Sequence, residues 1–346
     1  MSRHIDVIAT TISGSISDWS KVERIQPLFA ERGCADLALH VCDSHAEARA
    51  KAGALLAAGG RLLISAGGSG TFNAVLEGCC DSGVPLGEVE LGFLRKGSAD
   101  LLGKVLGMPD EIEAAVDVFV EAISARRLMP CDVLSARDGA DPIGRPRHFV
   151  GYGGAEIFGR IPHFTENRFM KWYKGVLSQA FGDLGPFTTG MTLALGEKLI
   201  KGPFARARWR LRVDGEEAAS GRYQALIIVN GYLGPDMAYS DDPLGSGRFH
   251  LFGLRDIGLL RLPSQALRAR SGEILRDPGR WGLEHHVVRG RLDLIREDGG
   301  TFSLNVDGST LPCRGCAELR RVDSIGLIAS PAALAGGSPR SSRPDM

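Results

Sequence analysis

The chain has 346 residues, and its 41 Lys and Arg residues balance 41 Asp and Glu residues, so the formal net charge is zero. This length suits two domains, and the balanced charge argues against a protein whose main task is to bind nucleic acid. No apolar run is long enough for a transmembrane helix and the N-terminus has no signal-peptide core, so we expect a cytoplasmic protein.

Strand and helix patterns alternate over roughly the first 125 residues. Such alternation is typical of a parallel sheet with helices on both faces, in which ligands bind beyond the carboxyl ends of the strands. The predicted strands are Ile5–Ala9, Leu37–Val41, Leu62–Ala66 and Val89–Phe93. The predicted helices are 22–29, 45–58, 72–79, 99–106 and 112–123.

The third strand leads directly into a glycine-rich turn, at Gly67, Gly68 and Gly70. A helical pattern of apolar residues begins immediately afterwards, at Phe72. Backbone N–H groups at such a helix start, together with the helix dipole, form an anion site that phosphate can approach closely. The same glycines also suit an ordinary tight turn between strand and helix. The sequence leaves both interpretations open.

The pattern changes after about Leu128, where strands separated by Asp-Gly turns indicate an antiparallel sandwich or barrel. The strands are predicted at 207–213, 223–230, 249–252, 287–296 and 301–306. We therefore expect an α/β nucleotide-binding domain over residues 1–127, a β-sandwich domain over 128–330 and a disordered tail over 331–346.

Several further side chains are candidates for a functional role. A helical stripe at 168–177 carries Trp, Tyr and Lys, and is either a helix packed on the β domain or a membrane-facing element. His250, His285 and His286 fall in strand patterns and are not expected to converge. Cys313 and Cys316 are interpreted as two incidental thiols, because no second pair at zinc spacing accompanies them.

Four landmarks resemble the diacylglycerol kinase and sphingosine kinase catalytic family, whose fold is related to NAD kinase and phosphofructokinase. The resemblance implies the same two-lobed fold, an α/β lobe followed by an antiparallel β lobe. The family's N-P-x-S-G, G-G-D-G-T-x-N-E, P-x-G-T-x-N-D and V-D-G-E motifs are similar, in that order, to residues 10–14, 67–74, 95–101 and 306–309.

The resemblance also implies a site for ATP and Mg²⁺. Phosphate-binding positions carried over from the family are Ser13, Gly14, Gly67, Gly68, Ser69, Gly70, Thr71, Asn73 and Ser98. Asp307 is implied as the catalytic base or organiser of metal-bound water, with an ordinary turn aspartate as the other interpretation. Glu156 and Asp100 are implied in substrate binding. Asp241 and Asp242 are implied in metal binding, against a solvated turn.

The implied function is an ATP- and Mg²⁺-dependent kinase that phosphorylates the hydroxyl of a diacylglycerol, sphingoid or ceramide-type lipid at a membrane surface. Ser69, Ala74, Leu101 and Ser309 stand where the family has acidic residues. These changes motivate an alternative, a catalytically impaired lipid- or nucleotide-binding relative. A kinase for a soluble acceptor such as NAD is a third hypothesis. A homodimer and a peripheral location at the inner membrane face are left open, and no nucleic-acid partner is expected.

Overall fold

The computed structural model describes residues 3–10, 22–95, 101–160, 207–234, 237, 239–258 and 261–336. The predicted stripe at 168–177 lies outside these residues. The strands are β1 (Ile5–Thr10), β2 (Leu37–Cys42), β3 (Leu62–Gly67), β4 (Glu90–Arg95), β5 (Leu128–Asp138), β6 (Arg147–Phe149), β7 (Tyr152–Glu156), β8 (Trp209–Val213), β9 (Glu216–Gly221), β10 (Tyr223–Val229), β11 (Phe249–Arg255), β12 (Leu283–Val288), β13 (Arg291–Arg296), β14 (Thr301–Val306), β15 (Ser309–Arg314) and β16 (Cys316–Ile328). The α-helices are α1 (Ile25–Glu31), α2 (His45–Ala57), α3 (Ser69–Asp81), α4 (Leu101–Val105), α5 (Ile112–Ser124), α6 (Leu262–Ser271) and α7 (Pro331–Gly336).

The chain forms two compact units that are not continuous in sequence. Unit 1 comprises Met1–Val133, Asp241–Ser246 and Asp323–Met346, and unit 2 comprises Leu134–Ser240 and Gly247–Val322. A simple boundary near residue 127 misses the two returning segments. They belong to unit 1 because Gly326 and Leu327 of β16 pair with β4, and the N–H of Asp132 donates to the carbonyl of Leu244 at 2.9 Å.

Unit 1 is built on a parallel sheet in the order β2-β1-β3-β4-β16. Every residue of β1 and β3 is buried. A strand is buried on both faces only when layers cover both sides of its sheet, which explains why these strands are nearly continuous apolar runs. The predicted α/β fold of this region is confirmed.

Helices cover this sheet in packed pairs. Phe29 of α1 and Phe119 of α5 pack with ring centroids 6.3 Å apart. Helices α2 and α3 approach closely at Gly78, which has the backbone of α2 as its neighbour. Among the described residues, no helix is both long enough and apolar enough to cross a bilayer.

Unit 2 is a sandwich of two sheets, as the Asp-Gly turns predicted. One sheet contains the antiparallel run β9-β8-β13-β16, together with β5 and β6, and the other is the six-stranded sheet β12-β11-β10-β7-β14-β15. Side chains from both sheets form one core, including Trp209 and Leu294 from the first and Leu226 and Phe249 from the second. Interdigitation of two inner faces is what makes a sandwich core.

Two predictions about this half of the sequence are corrected. The strand expected at 287–296 is the end of β12 and all of β13, separated by a turn at Arg289 and Gly290. The turn forms because Asp214 accepts the N–H groups of residues 289, 290 and 291. The expected disordered tail begins with a helix, α7, since the hydroxyl of Ser330 accepts the N–H of Ala333 at 3.2 Å and caps the helix start.

The close approach of α2 and α3 gives a stability prediction. A Cβ on Gly78 would collide with the carbonyl oxygen of Arg49 and lie 2.7 Å from the Cβ of Ala52. Because backbone cannot move aside cheaply, Gly78→Ala is expected to lower the free energy of unfolding by roughly 1–3 kcal/mol in denaturant titration. Gly87→Ala is the matched control, since nothing lies within 4 Å of that Cβ position. Equal stability of the two variants would contradict the packing argument.

Candidate functional site

The strand order of unit 1 marks one place as the natural ligand site. The chain passes from β1 outward to β2 and then returns to the other side of β1 with β3. The connections therefore leave in opposite directions at the carboxyl ends of β1 and β3, and open α/β sheets bind ligands at this switch point. Thr10 ends β1 and Gly67 ends β3. The predicted glycine turn thus lies at the switch point.

Backbone donors are exposed at this turn. Gly68 is the N-cap of α3 and provides no side-chain cap, and the first turn of the helix has no acidic residue. The carbonyl of Gly68 accepts the N–H groups of Thr71 and Phe72 at 3.0 and 3.1 Å. Within the described part of the chain, the N–H groups of Gly68, Ser69 and Gly70 have no acceptor. Three adjacent amides at the positive end of a helix attract an anion.

Two glycines of the turn have close neighbours. A Cβ on Gly67 would lie 2.7 Å from the Cβ of Thr71, whose hydroxyl shares a buried 2.6 Å hydrogen bond with the hydroxyl of Thr10. A Cβ on Gly70 would lie 2.8 Å from Cε1 of His45. The glycines therefore let β1, β3 and the start of α3 close around a fixed pair of threonines.

His45 was not singled out from the sequence, yet it lies beside the exposed amides. It is the first residue of α2, held there because the hydroxyl of Ser44 accepts the N–H of Glu47 at 3.0 Å. Its exposed ring lies against Gly70. The Ser-x-x-Glu capping box is a sequence signal for the helix start, but only the packing of α2 on α3 places this imidazole at the turn.

Of the other site residues predicted in unit 1, some lie outside the described residues and some within them. Ser13, Gly14, Ser98 and Asp100 lie outside the described residues. Asn73, in the first turns of α3, is partly buried and has a polar partner. Ala74, where the family has a glutamate, is 8% exposed. The described turn therefore provides backbone and hydroxyl donors and no carboxylate.

The residues predicted for magnesium lie in a segment that returns to unit 1. Asp241 is exposed, Asp242 is partly buried, and both have polar partners. Among the described residues no group of three or more His, Cys, Asp or Glu side chains is arranged to hold a metal. Mg²⁺ in kinases uses one or two carboxylates and completes its shell with phosphate oxygens and water. Asp241 and Asp242 supply the oxygen ligands that Mg²⁺ prefers, and their role in metal binding stays a prediction.

Asp307 holds the backbone of unit 2 with its carboxylate. One oxygen accepts the N–H groups of Val150 and Gly151 at 3.0 and 3.1 Å, and the other accepts that of Tyr152 at 2.7 Å. Its φ of 44° is in the left-handed region, as the turn from β14 to β15 requires. Burial raises the pKa of Asp307, and the three amides oppose the rise.

A second aspartate in unit 2 has the same arrangement. Asp214 follows a valine and precedes a glycine, has φ of 51°, and accepts three consecutive N–H groups, those of residues 289–291. The difference is exposure, because Asp214 is exposed and Asp307 is partly buried. The Val-Asp-Gly hairpin is therefore a structural device used twice, and the catalytic assignment of Asp307 stays a prediction.

Other predicted side chains of unit 2 have defined partners. Glu156, predicted to bind substrate, accepts the indole N–H of Trp209 at 2.9 Å and has φ of 60°.

The expectation that the histidines do not converge is wrong for two of them. The Nδ1 of His250 lies 3.0 Å from the Nε2 of His285, because the antiparallel pairing of β11 and β12 places both on one face.

The cysteines form no disulfide among the described residues. All seven are free, Cys313 and Cys316 included. Burial raises the pKa of Cys79 and of Cys313 to about 12, so both thiols stay protonated at neutral pH. They behave as core side chains.

The chain is similar to known proteins in sequence over its α/β region and in fold over nearly its whole length. Residues 4–135 match the family model of the diacylglycerol kinase catalytic domain. No curated protein matches the sequence. A proposed diacylglycerol kinase from Bacillus anthracis str. Sterne has 17% identity and a TM-score of 0.66, with 96% of each chain covered. An NAD kinase from Archaeoglobus fulgidus in complex with ATP has 13% identity and a TM-score of 0.53, with 96% of this chain and 98% of that chain covered.

These likenesses, at such low identity, show that the fold is that of the diacylglycerol kinases and NAD kinases. The family match over the α/β region agrees with this fold. The match of residues 4–135 to the diacylglycerol kinase catalytic domain confirms the resemblance drawn from the motifs.

The twin hairpins allow the role of Asp307 to be tested. Asp307→Asn keeps the side-chain shape but turns an amide donor toward a backbone N–H, which is expected to cost about 1–3 kcal/mol of unfolding free energy. Asp214→Asn is the matched control and is expected to cost less, since water replaces the lost bond at an exposed site.

Kinase activity per folded molecule, measured for both variants, then distinguishes a catalytic role of Asp307 from a structural one. If Asp307 is a general base, activity in the parent protein falls as the pH drops through its raised pKa, because only the carboxylate accepts a proton. Asp307→Asn is expected to remove this acid limb and most of kcat, whereas Asp214→Asn keeps both. Equal activity of the two variants would show that Asp307 is structural.

Proposed function

We propose that the protein is an ATP-dependent kinase that phosphorylates the hydroxyl of a lipid, of the diacylglycerol, sphingoid or ceramide type. The family and fold support a phosphotransferase of the lipid-kinase and NAD-kinase class. The observation that carries the nucleotide part is the set of three amides without acceptors at the switch point of the sheet. ATP as the donor is supported by the neighbouring NAD kinase, which was solved with ATP.

Phosphoryl transfer needs positioning and charge neutralisation more than covalent chemistry. The N–H groups of Gly68, Ser69 and Gly70 would bind phosphate oxygens, and the threonine pair would keep the turn rigid. His45 would add a donor at the edge of the turn. A bound Mg²⁺ would neutralise charge on the phosphates, with Asp241 and Asp242 as its protein ligands.

The phosphoryl acceptor in the proposed reaction is an alcohol. The hydroxyl oxygen attacks the γ-phosphorus, the bond to the β,γ-bridging oxygen breaks, and ADP leaves. The hydroxyl proton must go to a base, and Asp307 is the residue we assign to it. A lipid acceptor is favoured by the family name and by the Trp, Tyr and Lys of residues 168–177. Glu156 stays a proposed substrate contact.

The nucleotide site is tested by placing a negative charge on the turn. Gly68 has φ of −88° and ψ of −177°, a conformation open to any residue. Gly68→Asp supplies the missing N-cap, so stability is expected to hold or rise by a few tenths of a kcal/mol. The same carboxylate occupies the amides and repels phosphate, so ATP affinity should fall by at least about tenfold in calorimetric titration.

Gly68→Asn is the control, because it caps the helix without charge and is expected to weaken ATP binding less. Unchanged ATP affinity in Gly68→Asp would place the nucleotide elsewhere.

The acceptor class is tested with radiolabelled ATP and Mg²⁺ against diacylglycerol, a sphingoid base, ceramide, extracted host lipids and NAD. We expect label in the lipid fraction and none in NAD, with EDTA abolishing transfer. Label in NAD alone would overturn the lipid assignment.

The alternative, a binding protein without turnover, is favoured by the side chains that replace family carboxylates. Ser69, exposed at the start of α3, and the buried Ala74 are the two described at the turn. This alternative predicts ATP binding without transfer to any acceptor. It further predicts that Ser69→Asp, which restores the family residue, confers measurable transfer.

A further inference from the structure

Two residues of helix α6 in unit 2 have an unusual exposure. Gln265 is fully buried, and its side-chain amide donates to the carbonyls of Arg255 and Trp281 at 3.1 and 2.8 Å. Leu267, two residues further along, is 68% exposed. A surface helix ordinarily buries its leucine and exposes its glutamine. Here the polar residue docks the helix and the apolar residue points to the outside.

The surrounding segment is strongly basic. Residues 261–281 contain five arginines and two acidic residues, a net charge of +3 in a chain whose total is zero. Glu273 pairs with Arg268 at 3.0 Å. Within the part of the chain that the structure describes, no carboxylate pairs with Arg261, Arg276 or Arg280, which are exposed.

A tryptophan lies among these charges. The guanidinium carbons of Arg268 and Arg280 lie 4.7 and 5.6 Å from the centroid of the Trp281 ring. Both cations are near the π face, and the ring itself is partly exposed. An indole and a leucine set among arginines is a combination favoured where an apolar phase meets an anionic surface.

We propose that residues 261–281, here called the basic surface, bind an anionic phospholipid bilayer, with Arg261, Arg276 and Arg280 on lipid phosphates and Leu267 and Trp281 in the interface. Positive charge alone would also suit nucleic acid, but Leu267 gains only from an apolar phase. The choice of a bilayer rests in addition on the proposed lipid-kinase function, because such a kinase must reach a substrate that resides in a membrane.

Vesicle sedimentation of the full chain tests the proposal. Binding is expected to vesicles of phosphatidylcholine mixed with phosphatidylglycerol, to be weak for phosphatidylcholine alone, and to decrease with salt. Replacing Arg276 and Arg280 by Ala should lower the partition coefficient by about fivefold for each arginine. Leu267→Ser should also weaken binding but leave its salt dependence unchanged.

Arg24→Ala with Arg127→Ala is the matched control, because it removes two exposed arginines that pair with glutamates in unit 1. Equal loss in the control, or binding to heparin and duplex DNA with no binding to vesicles, would overturn the proposal. Failure of the kinase proposal is recognised separately, by absent phosphoryl transfer with vesicle binding intact. If the basic surface does not bind membranes, the unmodified chain fails to sediment with anionic vesicles, while transfer to a dispersed short-chain lipid is unaffected.

Discussion

The candidate site depends on a hydrogen-bond deficit at the start of α3. An α-helix leaves its first N–H groups without intrahelical partners, and most helices supply a side-chain cap. This helix begins at a glycine and has none. Strand β3, buried on all sides, fixes the position of the turn, and the hydroxyl pair of Thr10 and Thr71 ties it to β1. The donors are therefore rigid, and rigid donors bind an anion with little reorganisation.

The constraint extends outward through close packing. The turn is tight because Gly67 and Gly70 leave room for Thr71 and His45, and α3 is held in place because Gly78 lets α2 approach its backbone. A Cβ on Gly67 would press on Thr71 and one on Gly78 would press on the backbone of α2, and interiors as dense as crystals absorb such overlaps poorly. The geometry of the amides is therefore a property of the α2 and α3 pair as well as of the turn.

The Val-Asp-Gly hairpins show how one local motif serves in two settings. Asp214 and Asp307 each hold a neighbouring loop by accepting three consecutive backbone N–H groups. A motif match alone cannot separate a catalytic aspartate from a structural one, because the turn requires the residue in either case. Asp307 and Asp214 differ in burial. Burial raises the pKa of the Asp307 carboxyl, so that it accepts a proton more readily.

The sequence by itself determined the alternation of strands and helices, the glycine turn at the end of β3 and the sandwich of unit 2. All three depend on local periodicity and turn chemistry, which are set by residues close together in the sequence. Only the tertiary structure decided that residues 241–246 and 323–328 return to unit 1, that His45 lies against Gly70, and that His250 meets His285. These depend on strand pairing and helix packing between segments far apart in the chain, for which a single sequence carries no periodic signal.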